Sequence, residues 1–443
     1  MTQTVVVSRT TPEAVASADP VITDLALRGE TPAPEDIVFH LDRVTHTYGS
    51  RRARRRTAPA VDGLSLDILR NEVTVLFGRP RAGRSTILQL LSRIIEPEAG
   101  TLLFEGEALR RHRRRILTRR IGYLPAGGGL PPNRTVGEAI TTLLRRQHWK
   151  PADAQARITE VFELLEIPPA CAERRTSELA PWLRRAVGLA AVIAPDPDVL
   201  LLDEPFTISD GSRRSDLHAM MERVQQQRPR TVVVATDDFD EASRLADRIA
   251  VLVRPGRVVQ YGRPREVIDA PVDDQVRSLI GPDRGWRALS LVPSRSLVPQ
   301  RILAVRSPSA VPRDEIGLVL DHRAGPRGWV LPDRPGVVLG IGTDFDPSRD
   351  SLQTALDAAL SSPVGQAVAV DRATGRYLGT VPIGRIIQRA IEVRRSSAIG
   401  INDEAIARRG RLEDRRRAEA AERARRQEAE RARLLAEMSA DSR

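Results

Sequence analysis

The segment "VLFGRPRAGRSTILQLL", residues 75–91, decides how the first half of the chain folds. An apolar run is followed by a turn with two glycines and then by Ser-Thr and an amphipathic pattern. This order predicts a strand, a phosphate-binding loop and a helix. Gly78, Gly83 and Ser85 match the loop consensus G-x-x-x-x-G-K-[ST]. Arg84 stands at the lysine position, so the positive charge is kept on a bulkier, planar group.

A second motif lies about 120 residues further on, where "VLLLDEP" predicts a buried strand that ends in Asp203 and Glu204. In a phosphate-binding loop, backbone N–H groups and the helix N-terminus bind phosphate oxygens, and the serine hydroxyl ligates Mg²⁺. One carboxylate of the acidic pair can orient Mg²⁺ through water, and the other can polarise an attacking water. Together the two motifs predict a site for a nucleotide with Mg²⁺, although each alone is compatible with a glycine turn or an acidic strand end.

The composition limits the class of protein. With 443 residues the chain is long enough for two or three domains. Its net charge of +11 suits anionic partners, or a solvated arginine-rich surface with no partner at all. Cys171 is the single cysteine, which excludes an internal disulfide and fits a reducing cytoplasm. No apolar run approaches the ~18 residues of a membrane span, and the N-terminus lacks a signal-type apolar region. We therefore expect a cytoplasmic protein that reaches a membrane only through another subunit.

The sequence divides into four parts. Residues 1–36 lack periodicity and predict a disordered tail. Residues 37–285 alternate strand-like and helical patterns, which predicts an α/β domain with a largely parallel sheet. Residues 290–392 contain a weak repeat, in which "WVLPDRPGVVLGI" (329–341) echoes "AVAVDRATGRYLGTV" (367–381). Residues 393–443 are rich in Ala, Arg and Glu with opposite charges four positions apart, which predicts a long solvated helix.

Residues 38 to about 290 resemble the ATP-binding subunit of an ABC transporter. "VTHTYGS" is similar to the segment whose aromatic residue, here Tyr48, stacks on adenine. "IGYLP" (121–125) matches the lead-in to the Q-loop, and "SELAPWLRRAVGLAAVIAPDPDVLLLDEP" (177–205) follows the spacing from the signature helix to the Walker B strand. "ATDDFDEASRLADRIAVL" (235–252) matches the switch-histidine segment.

The resemblance extends towards one type of importer. "PVDDQVRSLIGPDRGWRALSLV" (271–292) resembles the join typical of glycine betaine/proline-type osmoprotectant importers, whose ATPases continue into a tandem CBS module. It implies a P-loop NTPase domain of ABC ATPase type, then a small α+β tandem CBS-like domain at 290–392 and a charged C-terminal helix. In the family the CBS pair is regulatory and senses ionic strength or cyclic dinucleotides. A purely structural, dimerising role remains open here, because the repeat carries no ligand motif.

The same resemblance implies partners and site residues. The partners are a membrane permease, a second ABC ATPase in a homo- or heterodimer and, indirectly, a substrate-binding protein, which places the chain on the inner face of the membrane. ATP is bound by Tyr48 and the loop, Mg²⁺ by Ser85 and Asp203, and Glu204 is the catalytic carboxylate; Asp210 is the D-loop aspartate. The loop residues implied to bind ATP are Gly78, Arg79, Pro80, Arg81, Ala82, Gly83, Arg84, Ser85 and Thr86.

Several positions depart from the family pattern. Within the loop, Pro80 lacks a backbone N–H and Arg81 replaces a glycine that turns freely. The Q-loop glutamine is replaced by Ala126, which cannot ligate Mg²⁺, and the switch histidine is replaced by Asp237, a negative charge expected to face the phosphates. The signature LSGGQ, whose serine and glycines reach the γ-phosphate of the opposite subunit, has become Leu179, Ala180, Pro181, Trp182 and Leu183.

Two functions therefore remain open. The first is the ATP-binding subunit of an ABC importer for glycine betaine or related quaternary amines, with weak or partner-dependent ATPase activity. The second is a non-hydrolysing regulatory pseudo-ATPase that pairs with an intact ABC ATPase or senses nucleotide. A third reading, a nucleic-acid-binding ABC protein, rests on the cluster "RRARRR" (51–56), which an exposed hairpin loop explains better. We expect no nucleic-acid partner.

Overall fold

A computed structural model describes residues 33–49, 58–207 and 211–395. Most of the predicted N-terminal tail, the arginine cluster at 51–56, Asp210 and the predicted helical tail from residue 396 onward lie outside the described residues. Among the described residues, no helix is both long and apolar enough to cross a bilayer.

The first part of the chain is built from ten strands and ten helices within those ranges. The strands are β1 (Ile37–His46), β2 (Val61–Leu69), β3 (Val73–Gly78), β4 (Ala99–Phe104), β5 (Glu107–Ala108), β6 (Ile121–Leu124), β7 (Val199–Asp203), β8 (Thr231–Thr236), β9 (Arg248–Val253) and β10 (Arg257–Gly262). The helices are α1 (Arg84–Leu91), α2 (Arg114–Arg120), α3 (Val136–Arg146), α4 (Pro151–Leu164), α5 (Pro181–Ile193), α6 (Gly211–Gln227), α7 (Phe239–Leu245), α8 (Pro264–Asp269), α9 (Asp274–Ile280) and α10 (Arg284–Ser290).

A mostly parallel sheet forms the centre of this part and confirms the predicted α/β class. Its strand order is β10-β9-β3-β8-β7-β6, and only β10 runs antiparallel to its neighbour. Every residue of β7 and β8 is buried, as expected for parallel strands that are covered on both faces. Because parallel strands end at the same edge, the ends of β3, β7 and β8 bring the loop, the acidic pair and Asp237 together.

Two hydrophobic cores flank this sheet. Val75 and Phe77 of β3 face a core that is shared with α3, α4 and α5. Leu76 faces the opposite core, which contains α1 and a second, antiparallel sheet of order β2-β1-β4-β5. The alternation follows from the two-residue period of a strand. Helix α1 is thus packed between the two sheets, which fixes the direction of its N-terminus.

The C-terminal part contains two small sheets. Its elements are β11 (Ala304–Val305), β12 (Gly317–Leu320), β13 (Pro326–Leu331), β14 (Arg334–Leu339), β15 (Asp344–Phe345), α11 (Leu352–Ser361), β16 (Gln366–Asp371), β17 (Arg376–Pro382) and α12 (383–395). One sheet has the order β11-β12-β13-β14 and the other β15-β16-β17. Each begins with a two-residue strand parallel to the next strand, which then forms an antiparallel hairpin.

The repeat exists, but its predicted register is wrong. The hairpin β16–β17 corresponds to β12–β13 and not to 329–341, which forms β13–β14. The two corresponding turns have the same geometry: the Arg323 N–H donates to Asp321 Oδ1 (2.8 Å) and the Ala373 N–H to Asp371 Oδ1 (2.9 Å). The Tyr377 N–H also donates to the Ala324 carbonyl (2.9 Å), which joins the two hairpins. The misassignment arises because strand, Asp-containing turn and strand recur three times in this region, with Asp-His at 321–322 and Asp-Arg at 333–334 and 371–372, and periodicity alone does not distinguish the copies.

An arginine–carboxylate network joins the antiparallel sheet to the parallel sheet. Arg120, at the end of α2, donates through both terminal nitrogens to Glu105 (2.6 and 2.9 Å) and through Nε to Asp198 (2.9 Å). Arg70 adds a further bond to Glu105 (2.9 Å). These bonds, chiefly those from Arg120, lower the pKa of Glu105 to about 2, although partial burial opposes the shift.

We predict that Glu105→Gln lowers the free energy of unfolding at pH 7 by about 1–2 kcal/mol, a figure reduced from the full pKa shift because the group is partly exposed. The folded-state pKa lies below its ordinary value of 4.5. The contribution is therefore present above that pH and is lost as the pH falls towards 2. Urea unfolding of both proteins between pH 7 and pH 3 measures this, with the exposed Glu107→Gln as control. A difference that stays constant down to pH 3 would contradict the prediction.

Candidate phosphate-binding site

The loop between β3 and α1 is held against neighbouring backbone, and this packing requires its two glycines. A Cβ on Gly78 would lie 2.5 Å from the Leu252 carbonyl oxygen, and one on Gly83 would lie 2.6 Å from that of Ala60. Gly83 also has a φ of +92°, in the left-handed region. Arg81 has a φ of +66° without being glycine, which costs roughly 1–2 kcal/mol. The departure at Arg81 therefore leaves backbone strain in the loop.

Arg84 lies in the centre of the site with only 6% of its side chain exposed. Its Nη2 donates to Glu204 Oε1 at 3.0 Å. Its Nη1 is buried and has no hydrogen-bond partner among the described residues. A buried donor without an acceptor costs about 1–3 kcal/mol, which an anion bound at this position would recover. The guanidinium is thus half satisfied by the protein and half available to a phosphate.

Ser85 and Asp203 provide oxygen ligands of the kind that Mg²⁺ prefers. The Ser85 hydroxyl donates to Asp203 Oδ1 at 3.1 Å, and Asp203 is buried at the end of β7. Burial raises the pKa of Asp203, while Ser85 and Arg84 act in the opposite direction. No group of three or more His, Cys, Asp or Glu side chains in the described residues could hold a metal. A Mg²⁺ ion here would therefore rely on phosphate oxygens and water to complete its shell.

Glu204 has an unusual backbone conformation, which hydrogen bonds at both its N–H and its carbonyl hold. Its φ is +49°, in the left-handed region. Its N–H donates to the Ala235 carbonyl (2.9 Å), and its own carbonyl accepts from Arg185 Nη1 (2.7 Å). The carboxylate is directed to Arg84 rather than left free. In this arrangement the Glu204 carboxylate is engaged in an ion pair.

Asp237, the negative charge expected to face the phosphates, lies beside Arg84. Asp237 Oδ2 lies 3.9 Å from Arg84 Nη2, and 42% of its side chain is exposed. The arginine at the lysine position and the aspartate at the histidine position are therefore partners. Each change partly offsets the charge of the other, which a reading of the sequence position by position could not detect.

Tyr48 lies over α1. Its hydroxyl donates to Gln89 Oε1 (2.9 Å) and is 3.3 Å from the Thr86 hydroxyl. Nearly half of the side chain is exposed, so the ring has a free surface on which a base could stack. Tyr123 lies nearby on β6, and burial, with a contribution from Asp203, raises its pKa to about 12. Gln89 was missed in the sequence, although its position four residues after Ser85 places both on one face of a helix.

The signature segment has become part of the protein's own packing. Leu179 and Leu183 are buried in the core that is shared with α3, α4 and α5. Pro181 is the first residue of α5, and Ala180 precedes it without a capping side chain. The Trp182 ring packs 4.5 Å from the Arg213 guanidinium. These residues stabilise the start of α5 and offer no hydroxyl at the helix N-terminus to a ligand.

The loop that carries Ala126 follows β6 and lies against α5. A Cβ at Gly188 of α5 would approach the Gly128 carbonyl oxygen to 2.4 Å, so only glycine permits this contact. The structure thus brings together Arg84, Ser85, Asp203, Glu204 and Asp237. Ala126 and the signature segment adjoin α5, and β6, which precedes Ala126, also pairs with β7. Arg185, which joins α5 to the Glu204 carbonyl, had no distinguishing signal in the sequence.

Comparison with known proteins adds the following. Residues 61–207, from β2 to just beyond Glu204, match a family model described as ABC transporter. An osmoprotectant import ATP-binding protein of Salmonella typhimurium is 29% identical over 386 residues, which cover 83% of this chain and 100% of that protein. A glycine betaine uptake system ATP-binding protein of Escherichia coli is 37% identical over 255 residues (57% and 80%). A choline transport ATP-binding protein of Bacillus subtilis is 31% identical over 245 residues (55% and 62%).

The pairing of Arg84 with Asp237 predicts that their effects on anion binding are not additive. Asp237→Asn should tighten Mg²⁺–ATP binding about 3- to 10-fold, since it removes a half-exposed negative charge. The gain should be larger in an Arg84→Lys background, where the aspartate has lost its guanidinium partner. Isothermal titration of the four proteins measures both gains.

The control for this cycle is Asp240→Asn, an exposed carboxylate on α7 that pairs with Arg287 instead. It should leave the affinity unchanged in both backgrounds. Equal gains from Asp237→Asn in the two backgrounds would show that Arg84 does not neutralise Asp237.

Proposed function

Because the chain belongs to the family of ABC transporter ATP-binding subunits, we propose that it serves as the ATP-binding subunit of an importer for glycine betaine or related quaternary amines. The substrate class is supported by relatives that are named for osmoprotectant import, glycine betaine uptake and choline transport. One observation carries the binding role: the buried, unpaired Nη1 of Arg84 beside the Ser85–Asp203 pair. This combination suits a polyphosphate with a divalent cation.

The residues fit ATP and Mg²⁺ in the following way. The loop from Gly78 to Thr86 and Arg84 Nη1 would bind the phosphates, Ser85 and Asp203 would ligate Mg²⁺, and the exposed face of Tyr48 would support the base. The nucleotide supplies a phosphoanhydride bond whose cleavage drives transport in the family. The protein groups bind, orient and neutralise charge around it.

Hydrolysis of ATP requires catalytic groups that this chain lacks or holds in other contacts. Glu204 is the residue suited to polarise water, but its carboxylate is paired with Arg84. Asp237 can accept a hydrogen bond but, unlike a neutral or protonated histidine, does not donate one when ionised. In the family the signature of one subunit completes the site of the other, and here those residues pack within their own chain. We infer that ATP binds and that turnover is slow or depends on a partner with an intact signature.

The second candidate function follows from the same features. A non-hydrolysing subunit that pairs with an intact ABC ATPase would keep the binding groups and dispense with its own signature. The partners proposed are a permease, a second ABC ATPase and, through the permease, a substrate-binding protein. The permease would hold the chain at the inner face of the cell membrane.

For the C-terminal part we propose a tandem CBS-like module at 290–392, after an ABC domain at 37–285. The two corresponding hairpins, joined by the bond between Tyr377 and Ala324, support a paired arrangement. Where the second unit has α11, the first has only the 3-10 turn Pro308–Ala310, so the two halves are unequal.

We predict saturable but weak Mg²⁺–ATP binding, with a dissociation constant on the order of 0.1 mM. Titration of the purified full chain with a fluorescent ATP analogue measures it. Ser85→Ala should weaken the Mg²⁺-dependent part about tenfold, because it removes a metal ligand. Ser92→Ala is the matched control, since that hydroxyl caps the other end of α1. No binding at millimolar nucleotide would leave only a scaffold role.

We predict that repair of single positions changes turnover little, because these groups act on the same phosphate and are not additive. Combining Arg84→Lys, Ala126→Gln, Asp237→His and an LSGGQ segment at 179–183 should raise ATP turnover by orders of magnitude. The segment replaces the buried Leu183 with glutamine, so thermal unfolding must first show that the repaired protein is folded. Phosphate release then measures turnover.

Glu204→Gln in the repaired protein is the control for this experiment, and it should bind ATP without hydrolysing it. The proposal of impaired hydrolysis would be overturned if the unmodified protein turned over ATP several times per second and Glu204→Gln abolished that activity. The chain would then be an ordinary transporter ATPase.

A further inference from the structure

Arg185 connects helix α5 to the end of β7. It lies on the second turn of α5, and its Nη1 donates to the Glu204 carbonyl oxygen at 2.7 Å. The neighbouring Arg184 turns the other way and donates to carbonyls of Thr176 (3.3 Å) and Leu179 (3.2 Å), outside the site. Two adjacent arginines on one helix therefore have different tasks, and only Arg185 reaches the site.

The hydrogen bond from Arg185 is made to a residue, Glu204, whose backbone conformation is strained. Glu204 is a non-glycine residue at a φ of +49°, a conformation that persists when several contacts determine it together. One contact is its N–H, bonded to β8 through Ala235; the other is its carbonyl, which accepts a short bond from Arg185 (2.7 Å) and a long one from the Thr207 N–H (3.5 Å). Because φ and ψ of Glu204 set the direction of its side chain, the guanidinium of Arg185 helps to decide where the carboxylate lies.

Two acidic groups act on the charge of Arg185. Burial lowers the pKa of its guanidinium, and the carboxylates of Glu204 and Glu241 oppose this shift. Glu241 is buried on α7, where it accepts a hydrogen bond from Thr236, the residue before Asp237.

Helix α5 has a second contact that matters here. Through Gly188 it touches the backbone of Gly128, in the loop that carries Ala126. A movement of that loop therefore displaces α5, and α5 carries Arg185 with it. This route passes through packed backbone and one charged hydrogen bond, without the glutamine that Ala126 replaces.

We propose that Arg185 is a positioning residue that couples the start of α5 to the carboxylate of Glu204. The inference rests on the proposed ATP site, because it assigns a role to the carboxylate of that site. Nucleotide binding that frees Glu204 from Arg84 then shifts α5, and a shift of α5 redirects Glu204. Arg185 acts through Glu204 and does not itself touch the nucleotide.

Trp182, one turn before Arg185 on the same helix, supplies a reporter. In protein labelled with 5-fluorotryptophan, the ¹⁹F resonance of Trp182 is assigned by its loss in Trp182→Phe. Saturation with Mg²⁺ and a non-hydrolysable ATP analogue should shift this resonance in the unmodified chain. Arg185→Gln should bind the analogue with an affinity within about threefold but lose most of the shift, since coupling and affinity are separate quantities. Arg185→Lys, which keeps a charged donor, should restore part of it.

Arg184→Gln is the matched control and should keep the full shift. A normal shift in Arg185→Gln, or an equal loss in Arg184→Gln, would overturn the proposal.

A second experiment needs no nucleotide. Arg84→Lys, which loosens Glu204, should move the Trp182 resonance in the presence of Arg185 and not in Arg185→Gln. If the analogue fails to bind but this second experiment succeeds, the proposed function fails while the positioning role stands.

Discussion

The ion pair between Arg84 and Glu204 is the contact on which the arrangement of the site depends. It closes the N-terminus of α1 onto the end of β7, with a 3.0 Å bond between a nearly buried guanidinium and a partly buried carboxylate. A lysine at this position would present a compact charge with freely rotating donors, whereas arginine presents a planar fork that can contact two acceptors at once. One half of this fork holds Glu204, and the other half has no acceptor among the described residues. On the proposed function, a phosphate would bind the unpaired half and compete with Glu204 for the positive charge, so its affinity would be reduced by what the internal pair contributes.

The same pair bears on the proposed difference between binding and hydrolysis. The carboxylate proposed to polarise water is already hydrogen-bonded to Arg84. Asp237 shares the guanidinium at 3.9 Å, so the two departures from the family pattern compensate each other in charge. The signature segment has likewise taken a structural role in place of a ligand-binding one, because Leu183 and Trp182 stabilise the start of α5. Restoring catalytic groups at these positions removes packing, which explains why repair must be tested against stability as well as turnover.

Most of the fold around the site could be predicted from sequence, because the relevant signals are local. The strand, turn and helix of residues 75–91 and the strand that ends at Asp203 were found by periodicity and turn chemistry, and the parallel sheet then places them at one edge. What could not be predicted are contacts between segments far apart in the chain. The Arg84–Asp237 pair and the bond from Arg185 to Glu204 depend on side-chain directions that no pattern encodes. The register of the C-terminal repeat failed for a different reason, since three similar strand-turn-strand segments compete and only the turns at Asp321 and Asp371 distinguish the matching pair.

The most direct test of this account is an experimental structure of the full chain with Mg²⁺ and a non-hydrolysable ATP analogue. We predict that Arg84 Nη2 leaves Glu204, that Nη1 acquires a phosphate oxygen at about 2.7–2.9 Å, and that Ser85 and Asp203 face the metal. It would be contradicted by a bound triphosphate with Arg84 still hydrogen-bonded to Glu204 and Nη1 still unpaired. In that case the ion pair would be a structural bond that the nucleotide ignores, and slow turnover would need another cause.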